Sequence, residues 1–141
     1  MSSPDVLVML MAQGEVRGWC DGSGTIQNPK HLLYAQVFYH ADKQQTLGDF
    51  ARASNARWLA ANPKSKITEM PPVERTNGKP SFLRFASENP DKPQQAFEIG
   101  ALGVDSDKDG NEFVLDVVMS GASKAALDRA NAAYTAFLKA H

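Results

Sequence analysis

Two runs of alternating residues joined by a polar turn constrain this chain more than any other feature. From Gln95 to Val104, Phe97, Ile99 and Ala101 fall on one side of an extended backbone, and from Glu112 to Ser120, Phe113, Leu115, Val117 and Met119 do the same. Side chains alternate faces along a strand, so this spacing predicts two strands with one apolar face each. The segment between them, Asp105-Ser106-Asp107-Lys108-Asp109-Gly110, is built of turn formers. The unit reads as an antiparallel hairpin. Asp116 stands on the opposite face, and that face is expected to be wet along part of its length. A lone hairpin is marginal in water, so the rest of the chain must extend and cover it.

More strands precede the hairpin. Ile67 to Met70 leads through Pro71-Pro72 to Val73 to Thr76, and Ser81 to Ala86 returns after Asn77-Gly78. Asn-Gly between such runs signals a tight hairpin, because a type I′ turn needs positive φ at both positions. Leu33 to Tyr39 is a further strand, with Leu33, Ala35, Val37 and Tyr39 on one face and Tyr34 on the other. Val6 to Met11 and Glu15 to Trp19 read as two short strands, followed by a loop through Gly22, Gly24 and Asn28-Pro29. Residues 1–30 are the part whose pairing the sequence leaves open.

Two helices complete the chain. Leu47, Phe50, Ala51, Ser54, Trp58 and Ala61 recur at helical spacing and predict a buried stripe over 47–61. Arg52, Asn55 and Arg57 fall toward its other side. Thr46 is the expected N-cap, with Asp49 three residues on, and Asn62-Pro63 ends the helix. Ser123 caps a second helix over 124–139, with Leu127, Ala130, Tyr134, Phe137 and Leu138 as its stripe. The chain is thus expected to be one α+β domain over 1–141, a mainly antiparallel sheet with two amphipathic helices packed on it.

From about residue 37 to residue 140 this order resembles the PsbP-like domains. A strand ends at Tyr39 and Thr46-Leu47-Gly48-Asp49-Phe50 opens a helix. A hairpin then turns at Asn77-Gly78-Lys79, and a second turns at Asp109-Gly110. Ser120-Gly121-Ala122-Ser123 precedes a last helix carrying Tyr134 and Phe137. That family contains the lumenal accessory protein of photosystem II, secreted bacterial relatives and a eukaryotic relative that binds the Ran GTPase. The resemblance implies a non-catalytic binding or accessory domain, exported in a bacterium. The first 30 residues depart from it, with Trp19 and Pro29 in the reverse of the family's order. A cystatin-like α+β arrangement is the alternative fold.

Composition excludes some function classes. A net charge of −1 and a pI near 6.3 over 141 residues give no field of one sign, against a nucleic-acid or polybasic membrane-surface partner. The apolar run Val6 to Ala12 is too short to span a membrane, and Asp5 replaces the basic start of a signal peptide. The protein is expected to be periplasmic or secreted if a signal peptide has been removed, and cytoplasmic otherwise. The expected partner is a protein or a small molecule, and no cofactor is implied.

Candidate chemistry is sparse. Cys20, with His31, His40 or His141 as base, would make a small hydrolase-like enzyme, although a free cysteine in a small domain is most often a small hydrophobe. Asp105, Asp107 and Asp109 reproduce the first half of a calcium loop. A polar turn explains the same residues, and Asp116, at the position of the closing glutamate, is too short and sits on a strand. A weak calcium-binding module is therefore the third reading. Trp19, Trp58, Tyr34 and Tyr39 could line a ligand pocket, with core packing the favoured reading of Trp58.

Overall fold

The structure is a computed structural model that describes residues 6–10, 15–20, 31–40, 42–93 and 96–141, with side chains from Tyr34 onward except that of Arg129. In chain order the elements are β1 (Val6–Leu10), β2 (Glu15–Cys20), β3 (His31–Tyr39), α1 (Leu47–Ala61), β4 (Lys66–Val73), β5 (Phe82–Glu88), β6 (Phe97–Ser106), β7 (Glu112–Gly121) and α2 (Lys124–Ala140). The fold is α+β, as expected. The strands form one sheet in the order β1-β2-β3-β7-β6-β5-β4, every neighbouring pair antiparallel. β3 and β4 are therefore far apart in the sheet, and the connection through α1 crosses one of its faces.

Both helix starts follow from local chemistry. The Thr46 hydroxyl accepts from the Asp49 backbone N–H at 3.1 Å and the Asp49 carboxylate accepts from the Thr46 N–H at 3.4 Å, a reciprocal capping box. The Ser123 hydroxyl accepts from the Ala126 N–H at 3.1 Å. Asn62 stops α1, its side-chain amide donating to the Trp58 carbonyl at 2.9 Å.

The helices lie on opposite faces of the sheet. On one face, Leu127, Tyr134 and Leu138 of α2 pack with Ile99, Ala101, Val117 and Met119, joined by Val73 and Phe82. The buried Tyr134 hydroxyl donates to the Val117 carbonyl at 2.6 Å. Phe82 lies directly on Gly103, where an added Cβ would come within 2.5 Å of the ring. On the other face, Ala51 of α1 packs with Leu102 and Val114, flanked by Leu47, Phe50, Leu83 and Phe85. The face expected to be wet around Asp116 is thus covered by a helix, because the β3-to-β4 crossing has to run over it.

The Asn77-Gly78 hairpin is corrected. β4 continues through Pro71-Pro72 to Val73, with a register shift after Met70, which an edge strand tolerates. Val73 pairs with Phe82, so residues 74–81 form a wide loop rather than a two-residue turn. The segment expected to extend β4 instead ties to the end of α2: the Thr76 N–H and hydroxyl both donate to the Lys139 carbonyl at 2.9 Å. Gly78 keeps a positive φ of 76° within that loop. The strand before α1 begins at His31, earlier than expected, because its ladder with β7 runs from His31↔Gly121 to Tyr39↔Phe113.

Candidate functional site

The apolar stripe of α1 changes character half-way along the helix. Leu47, Phe50 and Ala51 meet apolar residues on the sheet, whereas the next positions on that side are Ser54 and Asn55, then Trp58. The strand residues under this second half are also polar. Gln36 and Leu102 flank Asp116 across the β3-β7 and β6-β7 ladders, and Glu98 lies two same-face positions from Leu102 along β6. Polar groups on both sides prevent close packing, and the helix stands off the sheet there. The result is a groove of about 200 Å³.

Its floor carries the two carboxylates. Burial pushes the Asp116 carboxyl up from its ordinary 3.8 to about 7, and the nearby negative charge of Glu98 adds to the shift. Burial also raises Glu98, opposed by the positive charge of Lys92. Among the described residues neither carboxylate has a hydrogen-bond or ion-pair partner. Gly100 lies between them along β6, and a Cβ there would sit 3.6 Å from Asp116 Oδ1. Glycine therefore leaves the aspartate open to the groove. Trp58, Phe85, Phe38 and Tyr34 supply aromatic wall, and Phe38 is steadied by the Phe50 ring 5.8 Å away.

The residues singled out from sequence fall in different places. Trp58 is only half-buried and faces the groove, so the core-packing reading of it is corrected. Asn55, read as outward, also lines the groove. Tyr34 is half-buried in the groove wall, whereas Tyr39 is 63% exposed beside Phe113. Asp105 accepts from the buried Arg75 at 2.7 Å and from Lys79 at 3.4 Å. Asp107 accepts from the Asn111 side-chain amide and backbone N–H and from the Asp109 N–H, each at 2.9 Å. Those bonds, the Asn111 amide first, hold its carboxyl below the usual aspartate range. Asp105 and Asp107 thus spend their oxygens within the fold, whereas no bond to the Asp109 carboxylate is seen among the described residues. Among the described residues, no group of three His, Cys, Asp or Glu is placed to hold a metal ion.

Two histidines make contacts elsewhere, although the buried Nε2 of His40 has no hydrogen-bond partner among the described residues. His40 is buried, with Nδ1 3.3 Å from Glu112 Oε2 and its ring edge-on to Phe50. His141 stacks on Phe137 with ring centroids 4.1 Å apart. Cys20 pairs through its backbone with Val6, and its side chain and that of His31 lie outside the described residues. The side chain of Trp19 also falls there.

Sequence reasoning missed Asp116 and Glu98 as a pair. The signal was present: each is an acid on the inner face of an otherwise apolar strand, and α1 carries Ser54 and Asn55 where its stripe should be apolar. Among the described residues no helix is long and apolar enough to cross a membrane. Compared with known proteins, the chain matches no family model and no curated relative.

Proposed function

We propose that this chain is a binding domain for a small organic ligand, with the groove between α1 and the sheet as its site. One observation carries the reading: two neighbouring carboxylates, without hydrogen-bond or ion-pair partners among the described residues, line a cleft of about 200 Å³ with aromatic walls. Small-molecule sites are concave and largely apolar, with a few convergent polar groups whose pKa values are perturbed. A fold that needed only stability would gain by placing apolar residues at 98 and 116, since buried unpaired acids are unfavourable. The resemblance to the PsbP-like domains supports the same class, a binding or accessory module, and with it an exported location.

The test is a thermal-shift screen of small amines, sugars and carboxylic acids against the wild type and Gly100→Val, whose side chain fills the floor beside Asp116. A ligand at 100 times its Kd adds about 2.7 kcal/mol. The expected result is a set of stabilising compounds whose effect is lost in Gly100→Val while its own melting temperature holds. Compounds that stabilise both proteins equally would place binding elsewhere and sink the reading.

A further inference from the structure

We infer that the groove takes a small organic monocation, its ammonium head between Asp116 and Glu98 over Gly100 and its ring or hydrocarbon stem against Trp58 and Phe85. The inference rests on the groove being a ligand site and names the chemistry of what enters it. Charge is the first ground. Among the described residues the lining contains two acids and no lysine, arginine or histidine, which disfavours an anionic ligand. A cation instead supplies the partner that both carboxylates lack among the described residues, and charge-assisted hydrogen bonds in a partly dry site are the strong ones.

Shape gives the second ground. The missing side chain at Gly100 opens a path to Asp116 Oδ1. A dry cavity of about 150 Å³ holds benzene, so about 200 Å³ suits one ring with a short arm. Aromatic faces also attract cations. At the Glu98 end stands Ser120, fully buried, its hydroxyl without a partner and its backbone paired with Glu98. Its strand position puts it on the same face as Asp116, so that end of the face carries unmet polar demand as well. Among the described residues no group of three His, Cys, Asp or Glu gathers there to hold a metal ion.

Binding must also move a proton. Asp116 titrates at about 7, and a cation favours its ionised form. Among the described residues, the titratable groups that line the groove with it are Glu98 from β6 and Tyr34 from β3. Gln36, Ser87 and the α1 residues Ser54, Asn55 and Trp58 are neutral, and Lys92 acts through Glu98. A cation that requires ionised Asp116 binds about tenfold more tightly at pH 8 than at pH 6.

The experiment is an amide and indole NMR titration with 2-phenylethylamine, its neutral isostere 2-phenylethanol, and glucose, at pH 6 and pH 8. The proteins are the wild type and Asp116→Asn, with Glu98→Gln as a second variant and melts to confirm folding. The amine is expected to shift Gly100, Val118 and the Trp58 indole, with that tenfold gain on raising pH. Either variant should weaken it at least about tenfold and abolish or reduce the pH effect. The alcohol is expected to bind at least about tenfold more weakly than the amine. If the alcohol or glucose moves the same resonances as strongly as the amine, the cation inference is overturned and the groove stands. If none of the three moves a groove resonance, the groove reading falls and the inference falls with it.

Discussion

Replacing Asp116 with asparagine should stabilise the protein, and only above the acid range. The carboxyl is moved from 3.8 to about 7, mainly by burial and secondly by Glu98. In the unfolded chain it ionises near its ordinary value, so between about pH 4 and pH 7 the folded state binds more protons than the unfolded one. Stability must therefore fall as pH rises through that window and level off above it. At about 1.36 kcal/mol for each pH unit, a window roughly three pH units wide corresponds to roughly 4 kcal/mol. Water reaching the groove relaxes part of this, and about 2 kcal/mol is the working expectation at pH 8. Asparagine has nearly the same shape and no charge to bury. Asp116→Asn should then melt roughly 5–8 °C above the wild type at pH 8 and near it at pH 4. Calorimetric melts of both proteins from pH 4 to pH 9, with a carboxyl carbon NMR titration of Asp116, make the measurement. A wild-type-to-variant difference that does not change with pH, or an Asp116 titrating near 4, would refute the burial argument.

Other expectations are equally direct. Gly103→Ala places a methyl within 2.5 Å of the Phe82 ring and should cost about 1–3 kcal/mol in chemical denaturation; a loss below the error of the fit would mean that the ring moves aside freely. Gly78→Val forces a β-branched residue to a φ of 76° and should cost about 1–3 kcal/mol, and an unchanged melting temperature would show that the wide loop rearranges. Trp58→Ala should cost less than the ~3–5 kcal/mol of a core aromatic, because the side chain borders the groove rather than the core, while ligand binding suffers more than stability. A denaturation loss in the core range would return Trp58 to a packing role.

Legibility from sequence divided along the range of the forces involved. The bounds of α1 were readable to the residue, because Thr46, Asp49 and Asn62-Pro63 act on backbone groups within a turn of themselves. The β6-β7 hairpin was readable because period-two spacing and a polar turn are local. The turn at Asn77-Gly78 was misread because local turn preference yields there to Thr76 and Arg75, which bond to the end of α2. The groove was the least readable feature. Its existence depends on which face α1 crosses, and that follows from β4 pairing at the far edge of the sheet. Asp116 read alone is a solvated residue; only beneath Ser54 and Asn55 does it become part of a cleft.

Two places where this fold buries charge, Arg75 and Asp116, explain why the acid-rich turn is the wrong place to look. Arg75 has a fully buried side chain, yet it donates to the Val104 carbonyl at 3.2 Å and to Asp105 at 2.7 Å. It also bonds the His141 carbonyl and lies 4.5 Å over the Phe82 ring. Breaking a buried pair strongly destabilises, so Asp105 is held by the fold and has little left to offer a ligand. Asp107 is spent on its own turn in the same way. Asp116 and Glu98 are the reverse case. They lie close enough for the charge of one to raise the carboxyl of the other, and no cation lines their groove among the described residues. The chain meets its buried charge at Arg75 and leaves it unmet at Asp116, although a leucine or asparagine there would suit the fold better. Local choices that work against stability are expected where function requires them. The number of acids in a segment is therefore a poor guide to a site, and whether their oxygens are already taken is the better one.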